Sequence, residues 1–305
     1  MPAYSFKKNC KVYLVSNNAR TKIEVYPDLS FSQTFDEKAI KVKTLHDQNA
    51  MFDDAIITTA NPADFNFTVL LVKGNDFNII GNWLTQRVGL GSDEALTTYD
   101  IYVDNGVDVF KLEKGVATRG TFLIQREALV TVSIEGQASK LTRFGASGVT
   151  IPGVLQTRDS TLAPIIVRAL DVLLDSVVQA HIAGISLEIS NEIEWVQYDT
   201  LHKSLYVTSA SDTQYPEAFV VVKKVLSGTI QQYVTDTNNG KLQTWSTSSI
   251  LRIRVGDGSG YYLDADLPKV VYTNQVQVED LFVQSYNFRM TSSPDDVAMV
   301  LKYNL

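Results

Sequence analysis

The chain has 305 residues, more than one compact core usually spans, so it holds two domains of ordinary size or one large all-β unit. Hydrophobic residues make up 45% and charged residues 20%, with 17 Gly and 8 Pro, which excludes a disordered, collagen-like or coiled-coil chain. Lys and Arg number 27 against 34 Asp and Glu, and the formal net charge of -7 repels phosphate, which weighs against a dedicated nucleic-acid binder.

Met1–Val15 places Lys7, Lys8 and Lys11 among alternating apolar residues and has no continuous apolar core of a signal peptide, so synthesis and retention in the cytoplasm are expected. Cys10 is the only cysteine, which removes intramolecular disulfides and thiolate metal clusters. Period-two alternation predicts strands where Leu29, Phe31 and Gln33 alternate with Ser30, Ser32 and Thr34, and where Phe65, Phe67 and Val69 alternate with Asn66, Thr68 and Leu70. Between them, His46–Asp64 reads as a loop longer than a hairpin needs. A short helix is expected over Ile79–Val88, a hairpin turn at Asp104-Asn105-Gly106, and a strand over Leu129–Ile134. Phe144–Asp159 collects Gly145, Gly148, Pro152 and Gly153, as a linker does.

Leu162–Val178 carries apolar residues at helical spacing, with Ser160 as a candidate N-cap and Pro164 in the first turn. Its runs of Val, Ile and Leu equally suit a strand buried on both faces, and the internal repeat described next favours the strand. Farther on, Ile185–Ile189, Ile193–Tyr198, Ala218–Val225, Ile250–Val255, Val270–Val278 and Leu281–Met290 read as strands, with a weaker helix near Leu242–Ile250. The most apolar window, Leu162–Ile189, is broken by Arg168, Asp171, Asp175, Gln179 and His181, so no membrane span is expected.

Three anchors recur along the chain. Thr44-Leu45-His46 reappears as Thr200-Leu201-His202 (200 - 44 = 156); Pro62, Phe65 and Gly74 as Pro216, Phe219 and Gly228 (216 - 62 = 154); Glu127, Leu129 and Ser133 as Glu279, Leu281 and Ser285 (279 - 127 = 152). The Asp104-Asn105-Gly106 turn has a counterpart in Gly256-Asp257-Gly258. The expected architecture is therefore mainly β, as two tandem similar antiparallel β-barrel or sandwich domains, each with a short helix: residues 1–144, a linker over 145–159, and 160–305.

No chemical constellation stands out. His46, His181 and His202 lack an HxxxH or HExxH partner, and a half-buried structural imidazole is the simpler reading. Glu192 and Glu194 share one strand face without a basic or nucleophilic neighbour in sequence and read as a solvated polar face. Gly256–Gly260 lacks the Lys and Ser/Thr of a phosphate loop, while Asp53-Asp54 and Asp295-Asp296 lack the order of a calcium loop and read as exposed loop acids. No GxSxG elbow is present. The expectation is a protein without enzymatic activity, cofactor or metal.

Ile189-Ser190-Asn191-Glu192-Ile193-Glu194-Trp195, Thr200-Leu201, Tyr215-Pro216-Glu217 with Gly228, and Gln284-Ser285-Tyr286-Asn287-Phe288-Arg289-Met290-Thr291 together resemble bacteriophage tail tube proteins. The resemblance implies a major tail tube subunit of the duplicated type, with rings of three two-domain chains stacking into a hollow tube that carries the tape-measure protein and then the genome. If a ring has six domain positions and each chain fills two, 6 / 2 = 3 chains close it. The negative charge fits a lumen that DNA traverses without sticking.

Implied partners are further copies of the chain, tape-measure protein and DNA in the lumen without sequence specificity, tail terminator and baseplate proteins, and a sheath protein as a further candidate. The implied location is the virion tail, after assembly in the host cytoplasm. Loops after the two Thr-Leu-His anchors are the candidate contacts between rings, through Met51, Phe52, Asp53, Asp54, Tyr206 and Tyr215. A trimeric baseplate hub and a carbohydrate-binding β-sandwich, the latter suggested by 3 Trp, 14 Tyr and 13 Phe, are the competing classes.

Overall fold

A computed structural model describes residues 10–42, 52–71, 75–85, 87–88, 95–145, 149–156, 166–196, 215–216, 218–235, 249–256, 261–278 and 281–291. The first half contains β1 (Lys11–Ser16), β2 (Ala19–Ile23), β3 (Ser30–Ser32), β4 (Phe35–Val42), β5 (Phe52–Ala60), β6 (Ala63–Leu70), α1 (Asn75–Thr85), β7 (Arg87–Val88), β8 (Ala95–Leu96), β9 (Tyr99–Asp104), β10 (Asp108–Gln125), β11 (Thr131–Ala138) and β12 (Lys140–Gly145). After it come β13 (Val154–Leu155), β14 (Ala169–Leu174), β15 (Val177–Val178), β16 (Ile182–Val196), β17 (Ala218–Tyr233), β18 (Ser249–Gly256), β19 (Tyr261–Val278) and β20 (Phe282–Met290). The protein is mainly β, as the sequence pattern requires.

Local turn chemistry settles the ambiguous apolar stretch. Asn17 and Asn18 join β1 to β2 with φ of 48° and 63°, and Asp175 and Ser176 join β14 to β15 with φ of 49° and 68°. Two successive residues at positive φ make the tight turn whose twist matches antiparallel strands. Leu162–Val178 is thus strand over its described part from residue 169, with a further single bridge from Ile166 to Leu129. At the predicted Asp104-Asn105-Gly106 turn, Gly106 has φ of 83° and its N–H bonds the Asp104 carboxylate at 2.8 Å.

Sixteen strands form one continuous sheet, and β4-β5 and β7-β8 are separate pairs. The antiparallel pairings of the first half recur in the second: β1 with β2 and β9 as β14 with β15 and β18, β9-β10-β11 as β18-β19-β20, and β11-β6 as β20-β17. The 15 residues of β16 pair with β17 along its length, where the first half divides the same step between β3-β6 and β4-β5. Phe65 stands opposite Gly136, while Gly228 stands opposite Phe288. The ladder therefore matches Phe65 to Gly228, so the second sequence anchor, which set Phe65 against Phe219, is out of register.

Alternation then builds the core. Phe65, Phe67 and Val69 of β6, Val132 and Ile134 of β11, and Phe122 and Ile124 of β10 point inward and are buried. Helix α1 closes over them: Trp83 stacks on Phe65 with ring centroids 5.6 Å apart and donates Nε1–H to the Gly115 carbonyl at 3.1 Å.

Several expectations need correction. The first helix runs Asn75–Thr85, and Arg87–Val88 is already strand. Ser249 and Ile250, the end of the second candidate helix, belong to β18; residues 242–248 lie outside the described residues. The expected loop His46–Asp64 contains the nine-residue strand β5, so Asp53-Asp54 are strand residues, because Phe35–Val42 supplies a complete antiparallel partner. Ile185–Ile189 and Ile193–Tyr198 are not two strands: the first and most of the second are carried by one strand, β16, which absorbs the phase change in a bulge at Glu192/Ile193. Within the expected linker, Val154-Leu155 add a parallel strand to β2, and Arg20 Nη1 donates to the Ile151 carbonyl at 2.8 Å.

Candidate functional site

Among the described residues no group of three or more His, Cys, Asp or Glu side chains gathers as a metal site would, and no helix is long and apolar enough to cross a membrane. His181 sits in a turn at φ 61°, where its carbonyl accepts from Tyr233 N–H at 3.0 Å. Glu192 and Glu194 are both exposed on β16. His46 and His202 lie outside the described residues.

The sheet path β3-β6-β11-β10-β16-β17-β20-β19, in which every neighbouring pair is antiparallel, presents one continuous outer face. Its inward side chains fill the core, so the alternate ones face out. Among those are Asn66 and Thr68 of β6, Ser133 and Gln137 of β11, Thr121 and Gln125 of β10, Ser186 and Ser190 of β16, Thr229 and Gln231 of β17, and Asn287 of β20, with Leu123 of β10 and Tyr233 of β17 as exposed apolar members. Hydroxyls and amides dominate. They bond one another across strands: Thr229 Oγ1 donates to Asn287 Oδ1 at 2.8 Å, and Gln137 Nε2 donates to Asp64 Oδ1 at 3.1 Å.

The charges on this stretch are largely paired. Arg119 Nη2 reaches Glu188 Oε2 at 2.9 Å and Nη1 lies 4.0 Å from Glu135, and the Glu188 hydrogen bond raises the Arg119 pKa further above its ordinary value. Exposed pairs of this kind add little stability, about 0.2–1 kcal/mol, but they remove fixed charge from the surface.

The two halves meet along β10 and β16, from Arg119 opposite Ser190 to Gln125 opposite Gly184. Phe122 lies opposite Leu187, and both are fully buried. Below the sheet, Asn191 of β16 donates to the carbonyls of Leu84 at 3.2 Å and Ala117 at 3.0 Å, and Lys224 Nζ donates to the Thr85 carbonyl at 2.6 Å. The last turn of α1 leaves unpaired carbonyls, and these two second-half side chains satisfy them. The sequence reading missed this junction. Its one local signal is the polar Asn191 at the inward phase set by Ile185, Leu187 and Ile189, buried to 2% exposure.

The candidate inter-ring residues separate into two places. Phe52, Asp53 and Asp54 lie on β5, paired in backbone register with β4, with Asp53 opposite Lys41 and Phe52 opposite Val42. Tyr215 packs on Phe35, ring centroids 6.3 Å apart, and accepts Lys140 Nζ over its ring at 4.7 Å. Met51 and Tyr206 lie outside the described residues.

A search of the curated proteins finds no match. Comparison with known protein families aligns residues 2–304 with the Bacteriophage Baseplate Tube Protein Family. Spanning nearly the whole chain, that match shows that the protein belongs to the bacteriophage baseplate tube family, a structural component of the phage tail located in the virion.

Proposed function

We propose that three copies of this chain close head to tail into a ring whose bore is the polar outer face of the sheet, and that such rings stack as a hollow tube through which the genome leaves. The observation that carries this reading is the unbroken antiparallel path from β3 to β19, which crosses from one half to the other through β10 and β16 and presents hydroxyls and amides along its outer face. Each chain contributes eight strands to that path. Barrels of about 16–18 strands already enclose water-filled channels, so a barrel of three such sets has an open lumen.

The chemistry of the lining suits passage. A basic wall would hold DNA through phosphate contacts and counterion release, whereas paired charges and neutral hydroxyls leave the polyanion mobile. Tape-measure protein, and tail terminator and other baseplate proteins at the ends, are the partners this role requires. The matched family is named for the baseplate, which favours a tube segment there over the long tail tube. A carbohydrate-binding surface would need an aromatic platform; the large rings Phe65, Phe67, Trp83 and Phe122 are buried, and the exposed rings Tyr26, Phe35, Tyr233 and Phe282 are spread over different elements and connections.

Negative-stain imaging of the purified protein tests the reading. Rings or rods with a central hole are expected; a monodisperse monomer at high concentration, or solid filaments without a bore, would overturn it.

A further inference from the structure

Where the first half holds an indole, the second half holds a cavity. Trp83 of α1 lies among Phe65, Phe67 and Tyr99, with ring centroids 5.6, 6.2 and 5.8 Å away, and its Nε1–H meets the Gly115 carbonyl. The ladders give these neighbours their counterparts. Phe67 faces Ile134, and Ile230 faces Tyr286, each pair next inward from the Phe65–Gly136 and Gly228–Phe288 rungs, so Phe67 matches Ile230. Gly115 faces Tyr99 across a bulge that follows Leu112, and Val270 faces Ser249 across the like bulge that follows Leu267, so Gly115 matches Val270.

Ile230 and Val270 line a cavity of about 280 Å³, together with Leu174, Leu251, Tyr286 and Phe288. Phe288 supplies here the ring that Phe65 supplies under Trp83. A cavity of roughly 150 Å³ already takes benzene, so this one has room for a phenol or an indole. The two places differ in chemistry. Val69, Val132 and Ile134 are apolar and fully buried in the first half, whereas their counterparts are Gln232, Gln284 and Tyr286. Gln232 lines the cavity and donates Nε2 to the Ala180 carbonyl at 2.7 Å. Gln284, opposite Gln232 and 6% exposed, has an amide nitrogen without a partner among the described residues. A buried amide left unpaired is costly, and an apolar residue would serve better unless an occupant brings an acceptor.

We infer that this cavity receives an aromatic side chain, of the tryptophan or tyrosine class, from a partner polypeptide. Three lining rings call for an aromatic guest: Phe288, Tyr272 and Tyr286, the last two edge to face with centroids 6.1 Å apart. Asp175 among the lining residues turns away a carboxylate, and the Gln232 and Gln284 amides favour a ring with a polar edge over a plain hydrocarbon. The mouth favours a chain over a free molecule. Val177, which lines the cavity, is 55% exposed and Val178 beside it 60%, so an apolar rim surrounds a deep aromatic pocket, as at the anchor points of protein contacts. The contact does not depend on ring closure.

Saturation-transfer NMR titrations of the full chain test this, with N-acetyltryptophanamide, N-acetyltyrosinamide, N-acetylleucinamide and free indole as probes. Both aromatic amides are expected to bind, with the leucine amide at least about ten-fold weaker. Gln179→Trp at the rim and Ile230→Trp inside should each weaken the aromatic amides by about ten-fold or more; the rim variant leaves the core intact if the inner one fails to fold. No binding to the parent, equal binding of the leucine amide, or undiminished binding to folded Gln179→Trp would overturn the inference. Binding of indole alone would make the occupant a free molecule and overturn it too. So would binding that appears only with Trp245→Ala, since the chain's own tryptophan would then be the occupant.

Discussion

Phe65 on β6 lies across the backbone of Gly136 on β11: a Cβ built on that glycine would stand 2.2 Å from Phe65 Cζ and 2.4 Å from the Val116 carbonyl oxygen. The matching rung of the second half keeps the pair and exchanges its members, with Phe288 on β20 covering Gly228 on β17, where a Cβ would meet Phe288 Cζ at 2.5 Å. In both cases an aromatic ring takes the volume that a glycine vacates, and the ring belongs to the opposite strand.

Gly136→Ala is expected to destabilise the chain by about 2 kcal/mol or more, because a ring and a backbone oxygen both have to move. Phe65→Leu in the same chain should restore only part of the loss, since the Val116 carbonyl remains in the way. Urea denaturation midpoints of the two variants check this, and an unchanged midpoint for Gly136→Ala would contradict the packing described.

Asn191→Leu should cost about 2–4 kcal/mol, from two carbonyls, those of Leu84 and Ala117, left buried without a donor. The loss should centre on the junction: hydrogen exchange in the last turn of α1 is expected to quicken, whereas Glu192→Leu, at an exposed neighbour, should leave it alone. Equal exchange in both variants would mean that Asn191 does not hold the halves together.

Burial raises the phenol pKa of Tyr99, Tyr272 and Tyr286 above the ordinary 10.0. A raised folded-state pKa means that the unfolded chain loses these protons first, so the stability they contribute is complete below pH about 10 and is lost as pH rises through the folded-state values. Absorbance at 295 nm is expected to show a late tyrosinate fraction that appears together with loss of near-ultraviolet dichroism. Full ionisation in a still-folded protein would contradict it.

Gln125→Lys with Gln231→Lys adds two charges to one row of the outer face, since both residues flank Gly184 across the β10-β16-β17 ladder. Assembled rings of this variant should retain a short single-stranded oligonucleotide at about 50 mM salt and release it near 200 mM, while the parent retains none. A variant that assembles and still ignores the oligonucleotide would argue that this face is not the bore.

Most strands were legible in sequence because alternation such as Phe65, Phe67, Val69 has only one reading when a sheet is half-buried. The strand over residues 169–174 competed with a helix until the Asp175-Ser176 turn could be set against Asn17-Asn18. What stayed hidden was register. The Phe65–Gly136 and Gly228–Phe288 exchange preserves volume across a rung while changing both residues, so identity scanning drew Phe65 to Phe219. Strand β5 was read as loop because it is pairing with β4, and not local pattern, that makes it a strand. The β10-β16 junction joins residues far apart in sequence, and only Asn191 advertised it.

The central claim, that chains join end to end into a threefold ring lined by one face of a continuous sheet, is tested most directly by cryo-electron microscopy of the assembly with no symmetry imposed. Three chains should contribute 3 × 8 = 24 strands to a closed barrel, with Thr121 and Ser186 facing the lumen. Six chains per ring, an open helical strand, or a bore lined by any other surface would contradict it.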